Sequence, residues 1–248
     1  YGGVKKYQWV AHPLSLHGVV VKKDGTSVQI ALGEGEDEPV VGVSDLLIHL
    51  SSSQLQKRGD KVVEGEDLNL LVGSIPLEGE YKEPVKKQIL KLLEEKYGIA
   101  EEDFQSAELE AVPAGKARDY GLDASMIIGY GQDDRICAYP SFEAMRTLSH
   151  PKRTCVCLLV DKEEIGSVGA TGMQSRFFEN TVAEVMNACG QYSELLVRRA
   201  LKNSKMLSSD VSAAFDPNYA AVNEEKNSAF MGHGLVFNKY TGSRGKGG

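Results

Sequence analysis

The sequence predicts a protein of the α/β class, with a β-rich unit over residues 1–120 and an α/β unit over residues 121–248. Two observations carry this prediction. Short strand-like segments with turn signals fill most of the first half, whereas apolar strands alternate with long helices in the second. Because the predicted strands of the second unit are apolar on both faces, we expect a three-layer arrangement with helices on each side of a sheet.

The first unit is predicted to begin with a hairpin and to contain one clear helix. Residues 18–33, GVVVKKDGTSVQIALG, read as two strands, and the pair Asp24-Gly25 suits the tight turn between them. A helical pattern starts at Pro84, which favours the first turn of a helix, and stops at Gly98, which favours its end. Residues 106–112 return to a β-like pattern.

The second unit is predicted to alternate strands and helices. Residues 125–130 favour a short strand, and residues 133–148 favour a helix bent near Pro140. Residues 155–160, CVCLLV, are typical of a buried strand, and residues 180–202 favour one long helix.

Composition narrows the function classes. The formal charge of −7 and the isoelectric point near 5.4 argue against a nucleic-acid surface, which needs a basic patch. No apolar run approaches the roughly 20 residues that cross a bilayer. The four cysteines lie in apolar segments without zinc-ribbon spacing, so we expect reduced core thiols in a cytoplasmic protein.

The two ends of the sequence are unusual for a domain. The chain starts with Tyr-Gly-Gly rather than an initiator methionine, and it stops in the glycine-rich run GSRGKGG. We therefore expect a fragment of a longer protein.

Four acidic residues are the candidates for chemistry. Asp133, the pair Glu163-Glu164 and Asp210 each come just after a predicted strand. Strand ends gather at one edge of an α/β sheet, where sites form. Carboxylates that converge there repel one another unless they hold protons or a cation. Three such positions are more than one ion needs, so the sequence predicts a pair of divalent cations.

The two adjacent glutamates are expected to have different roles. In extended backbone their side chains point to opposite sides, so one can bind metal while the other acts on water as a general base. The glycines after them allow a sharp turn. The acidic residues could instead cap helices, lie on the surface as solvated charges or, at Asp134–Arg135, form a local ion pair. Two-zinc sites also usually include histidine, and none of the five histidines stands at a predicted strand end of the second unit.

Four segments together resemble one family of enzymes. The chain resembles the aspartyl aminopeptidase and vacuolar aminopeptidase I family of two-zinc metallo-aminopeptidases over essentially its whole length. The motifs that carry the resemblance are YGG with a following Trp near the start, GYGQDDRICAY at 129–139, DKEEIGSVGATGMQS at 161–175 and SSDVSAAFDPNY at 208–219. The resemblance implies a zinc-exopeptidase-like sheet domain, incomplete here, and an inserted β-rich domain used for oligomerisation.

The resemblance also implies a role for each candidate residue. Asp133 would bridge two zinc ions, Glu164 would bind one of them and Asp210 the other. Glu163 would be the general base toward the metal-activated water. A histidine of the inserted domain would reach a neighbouring subunit's substrate site, and His49 is the residue that fits this position best, with a core or surface role as the alternative.

Two departures from the family pattern limit what the chain itself is expected to do. The family's first and last histidine ligands fall before Tyr1 and after Gly248. The run after Asp210 lacks the histidines of aspartyl-specific members, which favours a neutral or broad specificity.

We therefore expect a metal-dependent aminopeptidase that acts on peptides and forms a homo-oligomer, which the family resemblance implies is a large closed shell. The alternatives are a catalytically incomplete assembly module of such an enzyme, or a deacylase or carboxypeptidase on the same fold. No nucleic-acid or membrane partner is expected.

Overall fold

The computed structural model describes residues 3–238, which fall into two units that divide after Tyr130. Helices and strands both occur, as the sequence predicts. The boundary between the two compact units lies ten residues after the domain boundary that we expect at residue 120. The assignment of the oligomerisation and catalytic domains to either side of residue 120 stays a prediction.

The first unit is built on a three-stranded antiparallel sheet. Its strands are β1 (Leu14–Val21), β2 (Ser27–Leu32) and β5 (Ala107–Pro113), in the order β2-β1-β5. The predicted hairpin is confirmed, because β1 and β2 pair through Val21↔Ser27. Gly25 takes a φ of +85° in the turn, and Asp24 accepts hydrogen bonds from the backbone and hydroxyl of Thr26.

One helix packs against this sheet and closes its small core. Helix α2 (Pro84–Tyr97) has Pro84 in its first turn and ends at Gly98, whose φ of +62° is left-handed. The Gly98 N–H donates to the Glu94 carbonyl at 2.8 Å, so both predicted ends are confirmed. The buried hydrophobic cluster beneath the helix consists of Val20, Ile30 and Ile99, with Leu93 and Tyr97 of the helix packed against it.

Shorter elements complete the first unit. They are strands β3 (Gly42–Val43) and β4 (Leu70–Leu71), which pair with each other, and helix α1 (Ser52–Leu55). A hairpin of β6 (Arg118–Tyr120) and β7 (Met126–Ile128) follows β5. The 3₁₀ turns of this unit are Lys6–Ala11, Ile48–Leu50, Gly65–Asp67 and Glu101–Ser106.

Gly18 is the position of the sheet that tolerates no side chain. Its φ is +151°, and an added Cβ would overlap the Glu108 carbonyl oxygen of β5 and lie 3.0 Å from the Leu109 Cα. We expect Gly18→Ala to lower the free energy of unfolding of this unit by about 2–3 kcal/mol, because β1 and β5 would have to separate. Gly25→Ala is the control for backbone strain alone, since its φ is also positive, at +85°, but nothing lies within 4 Å of its added Cβ. Denaturant titration compares the two, and equal losses would contradict the steric argument.

Glu38 organises the loop after β2 and gives the unit a pH dependence. Its carboxylate accepts hydrogen bonds from Lys96 and from the backbone N–H groups of Gly33, Glu34 and Gly35. The hydrogen bond from Lys96 is the largest cause that lowers the pKa of Glu38, and the hydrogen bond from the Gly35 N–H is the second. Together they bring this pKa from 4.5 to about 2.

A lowered pKa in the folded state means that Glu38 stabilises the loop above pH 4.5 and that this contribution is lost as the pH falls toward 2. We expect Lys96→Met to return the pKa of Glu38 toward 4.5, because it removes the first of these causes. Side-chain carboxyl NMR titration measures this pKa in both proteins. An unchanged low pKa in the variant would show that the backbone donors alone determine it.

Three helices dominate the second unit. They are α3 (Gln132–Arg146), α4 (Phe177–Ala188) and α5 (Glu194–Lys202), with 3₁₀ turns at Glu163–Ile165, Pro217–Val222 and Glu225–Asn227. The prediction of one long helix over residues 180–202 is wrong, because Gly190 turns with a φ of +70° and Ser193 caps a new helix by accepting from the Leu196 N–H. In the described part of the chain, no helix is long and apolar enough to cross a membrane.

The predicted strand at residues 155–160 does not form. These residues belong to no strand ladder, and within residues 131–238 only isolated bridges occur, Asp161↔Gly172 and Ala214↔Ala229. A strand forms where a neighbouring strand pairs with its backbone N–H and C=O groups, and no described segment pairs with residues 155–160. The prediction of four core thiols is also wrong, since Cys155 and Cys189 are exposed; none of the four cysteines forms a disulfide.

Candidate metal centre

Three carboxylates meet at the start of α3. One oxygen each of Asp133, Asp134 and Asp210 lies within 4.8 Å of the other two. Asp210 comes from the irregular segment after α5, so two distant parts of the chain contribute to the cluster. Asp133 and Asp210 are exposed, so solvent screens much of the repulsion among the three charges, and a bound cation would remove the remainder.

The backbone explains how neighbouring aspartates reach the same place. Gly131 takes a left-handed conformation just before α3, and Asp133 and Asp134 depart from helical φ and ψ, with a cis peptide between them. Regular helical geometry resumes at Arg135, whose N–H donates to the Gly131 carbonyl at 3.3 Å. The carboxylates therefore stand on irregular backbone at the helix N-terminus, where the positive end of the helix dipole favours negative charge.

Asp134 is the member of the cluster that the sequence did not single out as a ligand. The sequence suggested only an ion pair with Arg135. Among the residues that the structure describes, the Asp134 Oδ1 atom is buried and has no hydrogen-bond partner. A buried carboxylate oxygen without a partner is costly, and a cation would satisfy it. The doubled aspartate before a predicted helix was the signal that could have identified Asp134.

Cys137 lies beside the cluster, one turn along α3. Burial raises the pKa of its thiol, and so do a hydrogen bond to Asp134 and the negative charges of Asp134 and Asp210, against an opposing hydrogen bond with Ser209. The Cys137 sulfur is not among the ligand atoms that lie within 4.8 Å of one another, so the thiol is a neighbour of the cluster. The donor set of the cluster is therefore oxygen.

Glu163 and Glu164 do not join this group in the described part of the chain. Both are exposed and lie in a 3₁₀ turn, so the premise that their backbone is extended is wrong. A 3₁₀ turn still separates adjacent side chains by about 120°, which keeps their expected division of roles open. The predicted sharp turn is present, because Gly166 has a φ of +88° and its N–H donates to the Glu163 carbonyl at 2.9 Å.

His49 lies in the first unit, on the 3₁₀ turn Ile48–Leu50, and its side chain is exposed. The core alternative is therefore wrong. Its role in a neighbouring subunit's substrate site stays a prediction.

The carboxylates fit a divalent cation by number and charge. Oxygen ligands alone suit Mg²⁺ or Mn²⁺ as well as Zn²⁺, whose protein sites usually add nitrogen or sulfur. No histidine belongs to the group within residues 3–238. The residues that carry the cluster are thus one part of a metal-ligand set and do not distinguish among these ions.

A carboxylate cluster drawn from two segments, on a fold of mixed helices and strands, defines a candidate metalloprotein. The family is then clear from comparison with known sequences: residues 1–246 match the family described as aminopeptidase I zinc metalloprotease (M18), and the chain belongs to that family. The resemblance found in the sequence motifs is thereby confirmed.

Curated relatives agree with this assignment. The chain is 68% identical to a probable M18 family aminopeptidase 1 of Clostridium acetobutylicum, over all of this chain and 54% of the relative. It is 24% identical to an aspartyl aminopeptidase of Caenorhabditis elegans, over 95% of this chain and 53% of that protein. The chain therefore spans about half the length of the curated relatives that it matches.

Solved structures give the same result for the fold. Aminopeptidase I from Clostridium acetobutylicum superposes with a TM-score of 0.86 at 66% identity, over 100% of this chain and 54% of that one. An M18 aminopeptidase from Thermotoga maritima gives 0.87 at 42% identity, over 94% and 52%. The S. cerevisiae mApe1 dodecamer gives 0.59 at 18% identity, over 93% and 51%, and shows the shared fold alone.

Proposed function

We propose that the chain forms part of a metal-dependent aminopeptidase, which removes the N-terminal residue of a peptide. The observation that carries the proposal is the group of Asp133, Asp134 and Asp210 within 4.8 Å, in a chain of the aminopeptidase I zinc metalloprotease family. Peptide hydrolysis needs a polarised carbonyl and an activated water. A carboxylate-held cation can polarise the carbonyl, and a second carboxylate that binds no metal can activate the water.

The proposed division of roles keeps to the chain's own residues. Asp133 would bridge two divalent ions, most simply zinc, with Asp210 on one and Glu164 on the other. The ions, when bound, supply Lewis acidity toward the substrate carbonyl. Glu163 takes a proton from the attacking water and passes it to the departing amine, so its carboxylate ends the cycle unprotonated. Asp134 would offer its buried Oδ1 atom, which has no hydrogen-bond partner in the described chain, to the same ions.

The finer architecture belongs to the same proposal. Residues 121–248 would contribute to a three-layer sheet domain, and residues 1–120 would form an inserted β-rich domain for oligomerisation. The exposed apolar side chains Leu47, Ile48 and Leu50 beside His49 support a contact surface on that domain. The assembly would be a homo-oligomer, and the unpaired cysteines favour a cytoplasmic protein.

A substrate panel tests the proposal. The protein to use is the hybrid chain, in which the present chain is joined to those segments of the Clostridium acetobutylicum relative that it does not span. We expect the hybrid chain to hydrolyse peptides with a free N-terminal amine and to leave N-acetylated copies intact. Cleavage from the C-terminus, or of acetylated substrates only, would replace the proposal with a carboxypeptidase or a deacylase. No hydrolysis in a folded, metal-loaded hybrid would favour the assembly module.

A further inference from the structure

Backbone hydrogen bonds close the turn that carries Glu163 and Glu164. The Gly166 N–H donates to the Glu163 carbonyl at 2.9 Å. The Ser167 N–H donates to the Lys162 carbonyl at 2.7 Å. These bonds define the shape of the turn, whereas its place in the second unit depends on residues outside it.

Gln174 attaches the far end of this turn to the segment that leads into α4. Its side-chain amide donates to the Gly166 carbonyl at 2.5 Å, and its backbone N–H donates to the Ser167 carbonyl at 3.1 Å. Helix α4 begins at Phe177, whose N–H donates to the Ser175 hydroxyl at 3.3 Å. Gln174 therefore ties the turn to the start of a helix of 12 residues.

Asp161 and Thr171 make a second attachment at the near end of the turn. The Asp161 N–H donates to the Thr171 carbonyl at 3.4 Å, and the Thr171 hydroxyl donates to the Asp161 carboxylate at 3.3 Å. Between the two attachments the backbone runs so close to the turn that an added Cβ on the buried Gly172 would overlap the Ser167 carbonyl oxygen. Because backbone atoms cannot move aside as a flexible side chain can, only glycine allows this approach.

We propose that Gln174 is a positioning residue for Glu163, and that it fixes the turn so that the Glu163 carboxylate reaches the attacking water. The inference rests on the proposed function, which makes Glu163 the general base. The Glu163 side chain is exposed and stands on a 3₁₀ turn of 3 residues, so the backbone of the turn determines where its carboxylate can reach. A displacement of about 1 Å at a reacting group can cost about 100-fold in rate. Gln174 itself touches neither substrate nor metal.

Gln174→Met in the hybrid chain tests this role, because methionine has a similar length but donates no hydrogen bond from its side chain. We expect kcat on a peptide with a free N-terminus to fall by about 10-fold to 100-fold, with KM and metal content within about twofold of the parent values. Gln191→Met makes the same change at an exposed glutamine of the second unit and should alter none of the three quantities. An unchanged kcat, or a loss of metal, in Gln174→Met would overturn the proposal.

A double-mutant cycle shows whether Gln174 acts through Glu163. When Glu163→Gln is already present, adding Gln174→Met should lower the residual kcat by less than about twofold, because the base that Gln174 positions is gone. A further loss as large as that of the single variant would overturn the proposal, since Gln174 would then act on another group.

Amide hydrogen exchange measures the attachment without activity. Gln174→Met should speed exchange at the Gly166 and Ser167 N–H groups by about 10-fold or more, while exchange in α4 stays at the parent rate. Unchanged exchange at both groups would overturn the proposal. The two failures are distinguishable: parent turnover in Glu163→Gln refutes the proposed base, whereas unchanged exchange in Gln174→Met refutes the attachment.

Discussion

Replacing Glu163 by glutamine in the hybrid chain is expected to lower kcat on a peptide substrate by about 10²–10⁴-fold, because the amide cannot accept the proton of the attacking water. The variant is expected to keep its full metal content, since Glu163 is not proposed as a ligand. Steady-state kinetics and metal analysis on the same preparation measure both quantities.

The matched control is Glu184→Gln, which makes the same change at an exposed glutamate of α4. It is expected to leave kcat and metal content at the parent values. Turnover of Glu163→Gln at the parent rate would show that another group is the base. Loss of metal from Glu163→Gln would instead make Glu163 a ligand and exchange its role with that of Glu164.

Removing a charge from the carboxylate cluster is expected to act on metal binding first. Asp133→Asn or Asp210→Asn should weaken divalent-metal affinity by about 100-fold or more and reduce turnover in parallel, because each supplies an anionic ligand. Titration calorimetry of the metal-free hybrid measures the affinity. Asp133→Asn is expected to have the larger effect if this residue bridges two ions.

Asp37→Asn is the control for charge alone, because Asp37 is an exposed aspartate of the first unit. It should not alter the affinity. If Asp133→Asn and Asp210→Asn bound metal as tightly as the parent, the cluster at the start of α3 would be a solvated acidic group, and the ligands would have to be sought elsewhere.

Local sequence signals were sufficient to predict those elements whose structure depends on residues adjacent in the chain. The helix that begins at Pro84 and ends at Gly98 was predictable because both ends carry residues with strong conformational preferences. The hairpin turn at Asp24-Gly25 was predictable for the same reason.

Structure that depends on distant partners was not predictable in the same way. The strand pattern of residues 155–160 is clear, but a ladder needs neighbouring strands, and the described chain has none for it. The helical pattern of residues 180–202 hid the break between α4 and α5, because Gly190 is tolerated within a helix in sequence and becomes a turn only in the fold.

The candidate site also combines features that the sequence predicted with features that depend on the folded backbone. Asp133 and Asp210 were singled out because each was expected to follow a strand, and their carboxylates do lie within 4.8 Å of each other. The residues just before Asp210 nevertheless form no strand. Asp134 was missed because Arg135 beside it offered a local ion pair, whereas the irregular backbone there brings Asp134 to Asp133 and Asp210. The contribution of Cys137 could not be foreseen, since a cysteine in an apolar segment looks like an ordinary core residue.

The most direct test of the account is a metal titration of the hybrid chain with activity followed in the same sample. After chelation and removal of the chelator, we expect no hydrolysis of a peptide with a free N-terminus. Zinc should then restore the rate in step with binding and saturate at two ions per chain. Hydrolysis at the full rate by the metal-free protein would contradict the account.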